Sequence, residues 1–331
     1  MIPAASLLDH LPRCPLGCLP TPLAELRRLS RHLGGPRIWI KRDDLTGLAL
    51  GGNKVRKLEF LFGEARRRGS DCVLTGGATQ SNHCRQTAAA AALLGLPCHL
   101  ALSGAPPPVP DGNLLLDELL GAQIHWCGEQ RKGETLPGIE QELRSRGLNP
   151  FVIPYGGSNA TGALGFVAAF QEFSLQAGEC QFQPEAIVFA SSSGGTQAGL
   201  LVGAALAGWP GRLIGIAIDK NATGGEPLPG FITRLAGQAA ERLGANLSFD
   251  SVILRNEYAG AGYGIVGELE REAIRLLARQ EGILLDPVYT GRAFGGLLDL
   301  IQRGEFSRGG NVLFWHTGGT PALFPHAADL R

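Results

Sequence analysis

Lys54 sits in Leu50–Leu58 (LGGNKVRKL), directly after Gly51, Gly52 and Asn53. Glycines let backbone approach a ligand closely. A lysine desolvated in such a place is an amine nucleophile that forms a Schiff base with a carbonyl. The same letters also describe a solvated lysine opening a helix, with Arg56 and Lys57 as surface charge. Thr75–Gln86 (TGGATQSNHCRQ) is a second dense segment. Ser81 or Asn82 can cap a helix there, and the open N–H groups of that helix start suit a carboxylate. Ser81, Asn82 and His83 together exceed what capping needs, although plain capping would use one of them. The third segment is Ser191–Gly199 (SSSGGTQAG). Gly194 and Gly195 permit successive N–H groups to converge, Ser193 and Thr196 add hydroxyl donors, and a helix N-terminus adds the positive end of its dipole. That is the chemistry of a phosphate cup without the lysine of a nucleotide P-loop, and a generic Ser/Gly turn shares its composition.

No magnesium-binding motif lies nearby, which suits a phosphate monoester on a cofactor better than a triphosphate. A Schiff-base lysine with a phosphate cup points to pyridoxal phosphate, whose ring is an electron sink for a carbanion. Other chemistries find no support. The chain has no G-x-x-x-x-G-K-[ST], H-E-x-x-H, G-x-S-x-G or H-R-D set. Gly260-Ala-Gly-Tyr-Gly264 looks dinucleotide-like, but its third glycine comes one residue early and no convincing strand precedes it. The seven cysteines, at 14, 18, 72, 84, 98, 127 and 180, have one close pair and no second. Hence no zinc or other metal site is expected.

The three segments need a scaffold, and the pattern supplies one. Apolar, β-rich runs precede helix-like runs: Arg37–Lys41, Asp71–Thr75 before Asn82–Leu94, Phe151–Pro154 before 159–176, and Ala186–Ala190 before Gly195–Ala207. Further strands are expected at Cys98–Leu102, Gln123–Trp126, Arg212–Ile218 and Asn311–His316, with helices at Ile265–Glu281 and Arg292–Arg303. Strand–helix alternation predicts an α/β fold with parallel sheets covered by helices, and ligands at the carboxyl ends of the strands. Ser103–Asp111 (SGAPPPVPD) and Asn221–Gly230 read as connecting loops.

Composition narrows the partners. Thirty Lys and Arg balance thirty Asp and Glu in 331 residues, so no basic surplus favours nucleic acid or an acidic membrane. The odd, dispersed cysteines fit a reducing cytoplasm. No signal peptide or bilayer-spanning run is expected; Ala88–Leu102 is broken by Gly95, Pro97 and His99. Forty-eight glycines imply many tight turns and close backbone approaches.

The chain resembles the fold-type II pyridoxal-phosphate enzymes, in the group that holds D-cysteine desulfhydrase and 1-aminocyclopropane-1-carboxylate deaminase. The resemblance spans nearly the whole sequence. It runs from Pro20-Thr-Pro22 and Ile40-Lys-Arg-Asp-Asp-Leu45 through Gly51-Gly-Asn-Lys-Val-Arg-Lys57 and Gln80-Ser-Asn-His83 to Asp286-Pro-Val-Tyr-Thr-Gly291 and His316-Thr-Gly-Gly319. It implies two open, twisted, mostly parallel sheets in two domains, like the tryptophan-synthase β subunit. A small domain of residues 52–164 would be inserted into a large one of 1–51 and 165–331. A homodimer would be expected. Lys54 would carry the cofactor, Asn82 would meet its ring hydroxyl, and Ser193, Gly194, Gly195 and Thr196 would hold its phosphate. Ser81, Asn82 and His83 would receive the carboxylate of a small amino-acid substrate, with Ser81 near the reacting carbon. Tyr263 and Tyr289 would be the paired active-site tyrosines. The deaminase has glutamate and leucine where this chain has Thr290 and Thr317. Hydroxyls beside the pyridine nitrogen leave it less protonated than a carboxylate would. The threonines and His83 resemble the desulfhydrase, which implies α,β-elimination of D-cysteine. Sulfite release from cysteate, the cyclopropane deamination and a non-catalytic cofactor carrier are the alternatives.

Overall fold

The computed structural model describes residues 7–219, 222–223, 225–249 and 251–331. Parts of the expected Asn221–Gly230 loop and of the N-terminal stretch lie outside the described residues. Strand β1 (Leu23–Glu25) is followed by β2 (Arg37–Arg42), β3 (Cys72–Gly77), β4 (Cys98–Leu102), β5 (Gln123–Trp126) and β6 (Pro150–Val152). Then come β7 (Ala186–Ser191), β8 (Arg212–Ala217), the two-residue pair β9 (Ala222–Thr223) and β10 (Glu226–Pro227), β11 (Ile253–Arg255) and β12 (Asn311–His316). One sheet has the order β1-β2-β12-β7-β8-β11, and a second has β5-β4-β3-β6. Every pairing in both is parallel except β1 with β2.

Strands buried on both faces read as unbroken apolar runs rather than alternating ones. β7 (AIVFAS) and β12 (NVLFWH) do so, and their middles are fully buried. One face of the larger sheet packs Ile38, Val188, Ile214 and Phe314 against helices Glu268–Glu281 and Thr290–Gln302. The other packs Ile187, Phe189 and Trp315 against Phe166, Phe170 and Phe173 of helix Ala160–Glu179. In the smaller sheet, Val73, Leu100 and Phe151 pack against helices Lys54–Arg67 and Asn82–Leu94. Some glycines serve helix packing rather than turns. A Cβ at Gly165 would lie 2.2 Å from the Arg56 carbonyl of the Lys54–Arg67 helix. No described helix is long and apolar enough to cross a membrane.

Arg56 and Lys57 are not surface charge. Both are almost completely buried. Arg56 donates to both oxygens of Asp43 (2.9 and 2.7 Å) and both oxygens of Glu172 (2.9 Å each). Lys41 Nζ reaches the same Glu172 at 2.5 Å, and Trp315 Nε1 donates to Asp43 at 2.8 Å. A guanidinium that meets two carboxylates in fork geometry is both neutralised and oriented. This hub clamps the Lys54 helix to β2, β12 and helix Ala160–Glu179.

Candidate active site

The carboxyl ends of β3, β7 and β12 and the start of helix Lys54–Arg67 converge on one cleft. Its wall includes Lys54, Ser81, Asn82, His83, Ser193, Gly194, Thr196, Tyr289 and Thr317.

Where a phosphate cup was expected, the loop after β7 brings two hydroxyls to the cleft. Ser193 Oγ accepts from Ser158 Oγ at 2.8 Å, and Thr196 Oγ1 accepts from Asn53 Nδ2 at 3.2 Å. Each hydroxyl is supplied from behind and keeps its own hydrogen for a ligand. Ser158 Oγ in turn accepts from Lys57 Nζ and from Gly195 N–H, each at 3.2 Å. Lys57 Nζ also donates to the Gly156 carbonyl at 3.1 Å. The chain Lys57–Ser158–Ser193 therefore ends in a polarised donor aimed at the cleft. Burial and the neighbouring Lys54 hold the Lys57 ammonium well below the usual lysine pKa, so an anion in the cup favours its charged form. Gly195 departs from expectation. Its N–H is spent on Ser158, and a Cβ there would sit 2.6 Å from Ser158 Oγ. A glycine is therefore needed there for close approach.

At the end of β3, Ser81 caps helix Asn82–Leu94, accepting from Cys84 N–H at 3.2 Å. The His83 tautomer follows from its partner. Thr75 Oγ1 donates to the Ile153 carbonyl at 2.8 Å, so His83 Nε2, 3.0 Å away, must be the donor to that oxygen. Nδ1 is then an acceptor, buried and without a hydrogen-bond partner among the described residues. Burial, with Lys54 and Lys57 close by, pushes the His83 pKa well below its ordinary value, so the ring is neutral.

Across the cleft, Tyr289 Oη lies 2.8 Å from Tyr263 Oη. Burial pushes Tyr263 up to about 12 and Tyr289 well above the usual phenol value, so both keep their protons at neutral pH. Tyr263 is not in the cleft wall; it acts from behind Tyr289. Its ring lies 4.4 Å below the guanidinium of Arg131, which pairs with Asp219 at 3.0 Å. Thr290 is also displaced from its expected place. Its hydroxyl donates to Asp286 Oδ1 (2.7 Å) and accepts from Asp286 N–H (2.8 Å), so it stands behind the wall. Asp286 further accepts from the N–H groups of Val288, Tyr289 and Thr290, which sets the turn that aims Tyr289. Thr317 does face the cleft. His316 shapes its loop, with Nδ1 accepting from Gly318 N–H at 3.2 Å and Nε2 donating to the Leu284 carbonyl at 3.0 Å.

Sequence inspection named no role for Asn53, Tyr155, Gly156, Ser191 or Ser192, which also line the cleft, nor for Lys57, Ser158 or Asp286 behind it. Asn53 carried a usable signal, standing between the paired glycines and Lys54. Ser158 carried none beyond its place in a Gly-Gly-Ser turn.

Comparison with known proteins agrees with this geometry. The pyridoxal-phosphate dependent enzyme family matches residues 15–318. A D-cysteine desulfhydrase of Klebsiella pneumoniae (strain 342) is 44% identical over 329 residues, covering 98% of each chain. A crystal structure described as an ACC deaminase homologue superposes with a TM-score of 0.92 at 38% identity, covering 100% of this chain and 98% of the other. Threonine deaminase isoform 2 of Solanum lycopersicum, at 16% identity and TM-score 0.68, covers 96% of this chain and 88% of its own and shares the fold.

Proposed function

The chain is a member of the pyridoxal-phosphate dependent enzyme family, and from that premise we propose that it is a lyase acting on D-cysteine. The reaction is α,β-elimination: D-cysteine and water give pyruvate, ammonia and hydrogen sulfide. One observation carries the choice of elimination over cyclopropane opening. Among the described residues that line the cleft there is no Asp or Glu, and a threonine, Thr317, stands in the wall. A pyridine nitrogen facing a hydroxyl is a weaker sink than one facing a carboxylate, which is sufficient where the β substituent is a good leaving group.

The residues present fit the cofactor. A primary amine, two hydroxyl donors supplied from behind, a helix start and an imidazole acceptor unpaired among the described residues share one cleft. Pyridoxal phosphate, when bound, supplies the electron sink for the carbanion left at the α carbon. Lys54 would be its attachment amine. Ser193 and Thr196 would hold its phosphate, with Gly194 making the turn, and Asn82 would meet its ring hydroxyl. Thr317 would be the hydroxyl offered to its ring nitrogen, with Thr290 held on Asp286 behind the wall. The first turn of helix Asn82–Leu94, from Ser81 to His83, receives the substrate carboxylate. Lys54, freed when the substrate amine takes its place, would take the α proton. Ser81 is the poorer base because its oxygen already accepts from Cys84 N–H. Tyr289, kept protonated by burial and hydrogen-bonded to Tyr263, gives its proton to the departing thiolate. Two domains, residues 52–164 inserted between 1–51 and 165–331, and a cytoplasmic homodimer complete the proposal.

The test is 2-oxoacid release by the purified protein from D-cysteine, L-cysteine, cysteate and 1-aminocyclopropane-1-carboxylate in parallel. Turnover of D-cysteine alone supports the assignment. Turnover confined to cysteate or L-cysteine keeps the elimination and replaces the substrate. Turnover of the cyclopropane amino acid removes the significance given to Thr317. A coloured protein silent on all four overturns the assignment in favour of a cofactor carrier or a different amino-acid substrate.

A further inference from the structure

We infer that Asn113 is a positioning residue that fixes which end of the Asn82 side-chain amide faces the cleft. Asn113 is fully buried near the start of helix Gly112–Leu119 and is not in the cleft wall. Its Nδ2 lies 3.0 Å from the Gln80 main-chain oxygen and 2.9 Å from Asn82 Oδ1. A main-chain oxygen only accepts, so the Asn113 atom facing it must be nitrogen. The same nitrogen meets Asn82, so Asn82 must turn its oxygen that way. The Asn82 NH₂ is thereby left for the cleft.

An amide is nearly isosteric about its O–N exchange, so packing alone cannot choose between its ends. The choice is made outside the cleft and locked there. Asn113 N–H donates to Gln80 Oε1 at 2.8 Å, and Gln80 Nε2 donates to Asp111 Oδ1 at 3.0 Å. These bonds seat the helix start on the Gln80–His83 loop. Asn113 Oδ1 has no partner among the described residues. An unpaired buried acceptor is unfavourable, so it is the donor end of this side chain that the position needs.

The consequence rests on the function proposed above, in which Asn82 meets the cofactor's ring oxygen. A donor there stabilises that oxygen in its deprotonated form, and a carbonyl would oppose it. Asn113 thus tunes the ionisation of the bound cofactor without touching it.

The experiment reconstitutes apoprotein with pyridoxal 5′-phosphate and titrates the visible absorbance of the bound cofactor with pH, alongside thermal melting. Asn113→Leu is expected to raise the midpoint by about one unit, the scale of one hydrogen bond to a charged group. Asn82→Ala is expected to raise it by at least as much, and adding Asn113→Leu to Asn82→Ala should shift it no further. A lower melting temperature with an unmoved midpoint for Asn113→Leu overturns the inference. An unmoved midpoint for Asn82→Ala overturns the placement of Asn82 on the ring oxygen instead. If Asn113→Leu does not fold, Asn113→Ala removes the same donor with a smaller side chain. It is expected to raise the midpoint, and an unmoved midpoint again overturns the inference.

Discussion

Ser158→Ala removes one oxygen from between the buried lysine and the phosphate cup. That oxygen accepts from Lys57 Nζ and Gly195 N–H at 3.2 Å each and donates to Ser193 Oγ at 2.8 Å. Two losses follow, and they separate experimentally. Gly195 N–H loses its partner and Lys57 keeps, among the described residues, the Gly156 carbonyl, a cost to the fold of about 1–3 kcal/mol for an unsatisfied buried donor. Ser193 loses the donor that leaves its own hydrogen facing the cleft, and the Lys57 charge no longer reaches the cup through a hydrogen-bonded chain. Losing one hydrogen bond to a charged group, about 1.5–3 kcal/mol, weakens binding roughly 10- to 150-fold. The assay is titration of apoprotein with pyridoxal 5′-phosphate, with inorganic phosphate as a competitor and a thermal melt of the apo form in parallel. The expected result is weaker binding of both ligands. Cofactor affinity within about twofold of the parent, beside a lowered melting temperature, would refute the relay and leave Ser158 a purely structural serine.

Three further outcomes are expected. Lys54→Ala should lose the bound cofactor's visible colour and 2-oxoacid release together; full turnover by the purified variant contradicts its role. Tyr289→Phe should lower kcat with D-cysteine by about 10²–10⁴-fold, the usual contribution of a general acid, and an unchanged rate removes Tyr289 as the proton donor. Asp117 is fully buried with neither oxygen hydrogen-bonded among the described residues, and burial pushes its carboxyl from 3.8 up to about 8. Between those values the folded protein keeps a proton that the unfolded chain has released. Stability therefore falls as pH rises from about 4 to about 8, by up to about 1.4 kcal/mol per unit from this group. Asp117→Asn should flatten that slope in chemical denaturation and exceed the parent in stability at pH 7; equal slopes refute the assignment.

The local framework was legible because it rests on local physics. Helix Asn82–Leu94 and strands Cys98–Leu102, Gln123–Trp126 and Asn311–His316 fall where periodicity and apolar runs put them. Helices Gly112–Leu119, Leu136–Ser145 and Leu228–Arg242 were not assigned from sequence. The last begins inside a segment whose Gly and Pro content reads as loop; its prolines sit at the helix start, where a missing N–H is tolerated. The charged pair after Lys54 was misjudged for a different reason. Arg56 and Lys57 look like ordinary surface residues until their partners, Asp43, Glu172 and Ser158, arrive from segments 13 to 116 residues away in sequence.

Residue type and spacing alone determined part of the chemistry on offer: an amine behind two glycines, a hydroxyl-rich helix start and a Ser/Gly cup; the two tyrosines were named only through the family resemblance. Residue type and short spacing state the first three because they depend only on what a side chain carries and how a turn bends. Tertiary structure decided the directions. It turned Thr290 onto Asp286 and away from the cleft, spent the Gly195 amide on Ser158, fixed His83 with Nδ1 as its acceptor, and set the Asn82 amide through Asn113. Each of those outcomes depends on which partner occupies a lone pair or a hydrogen. Such partners lie on other elements of the fold, or several residues along the same turn, and meet only once the chain has closed around the cleft.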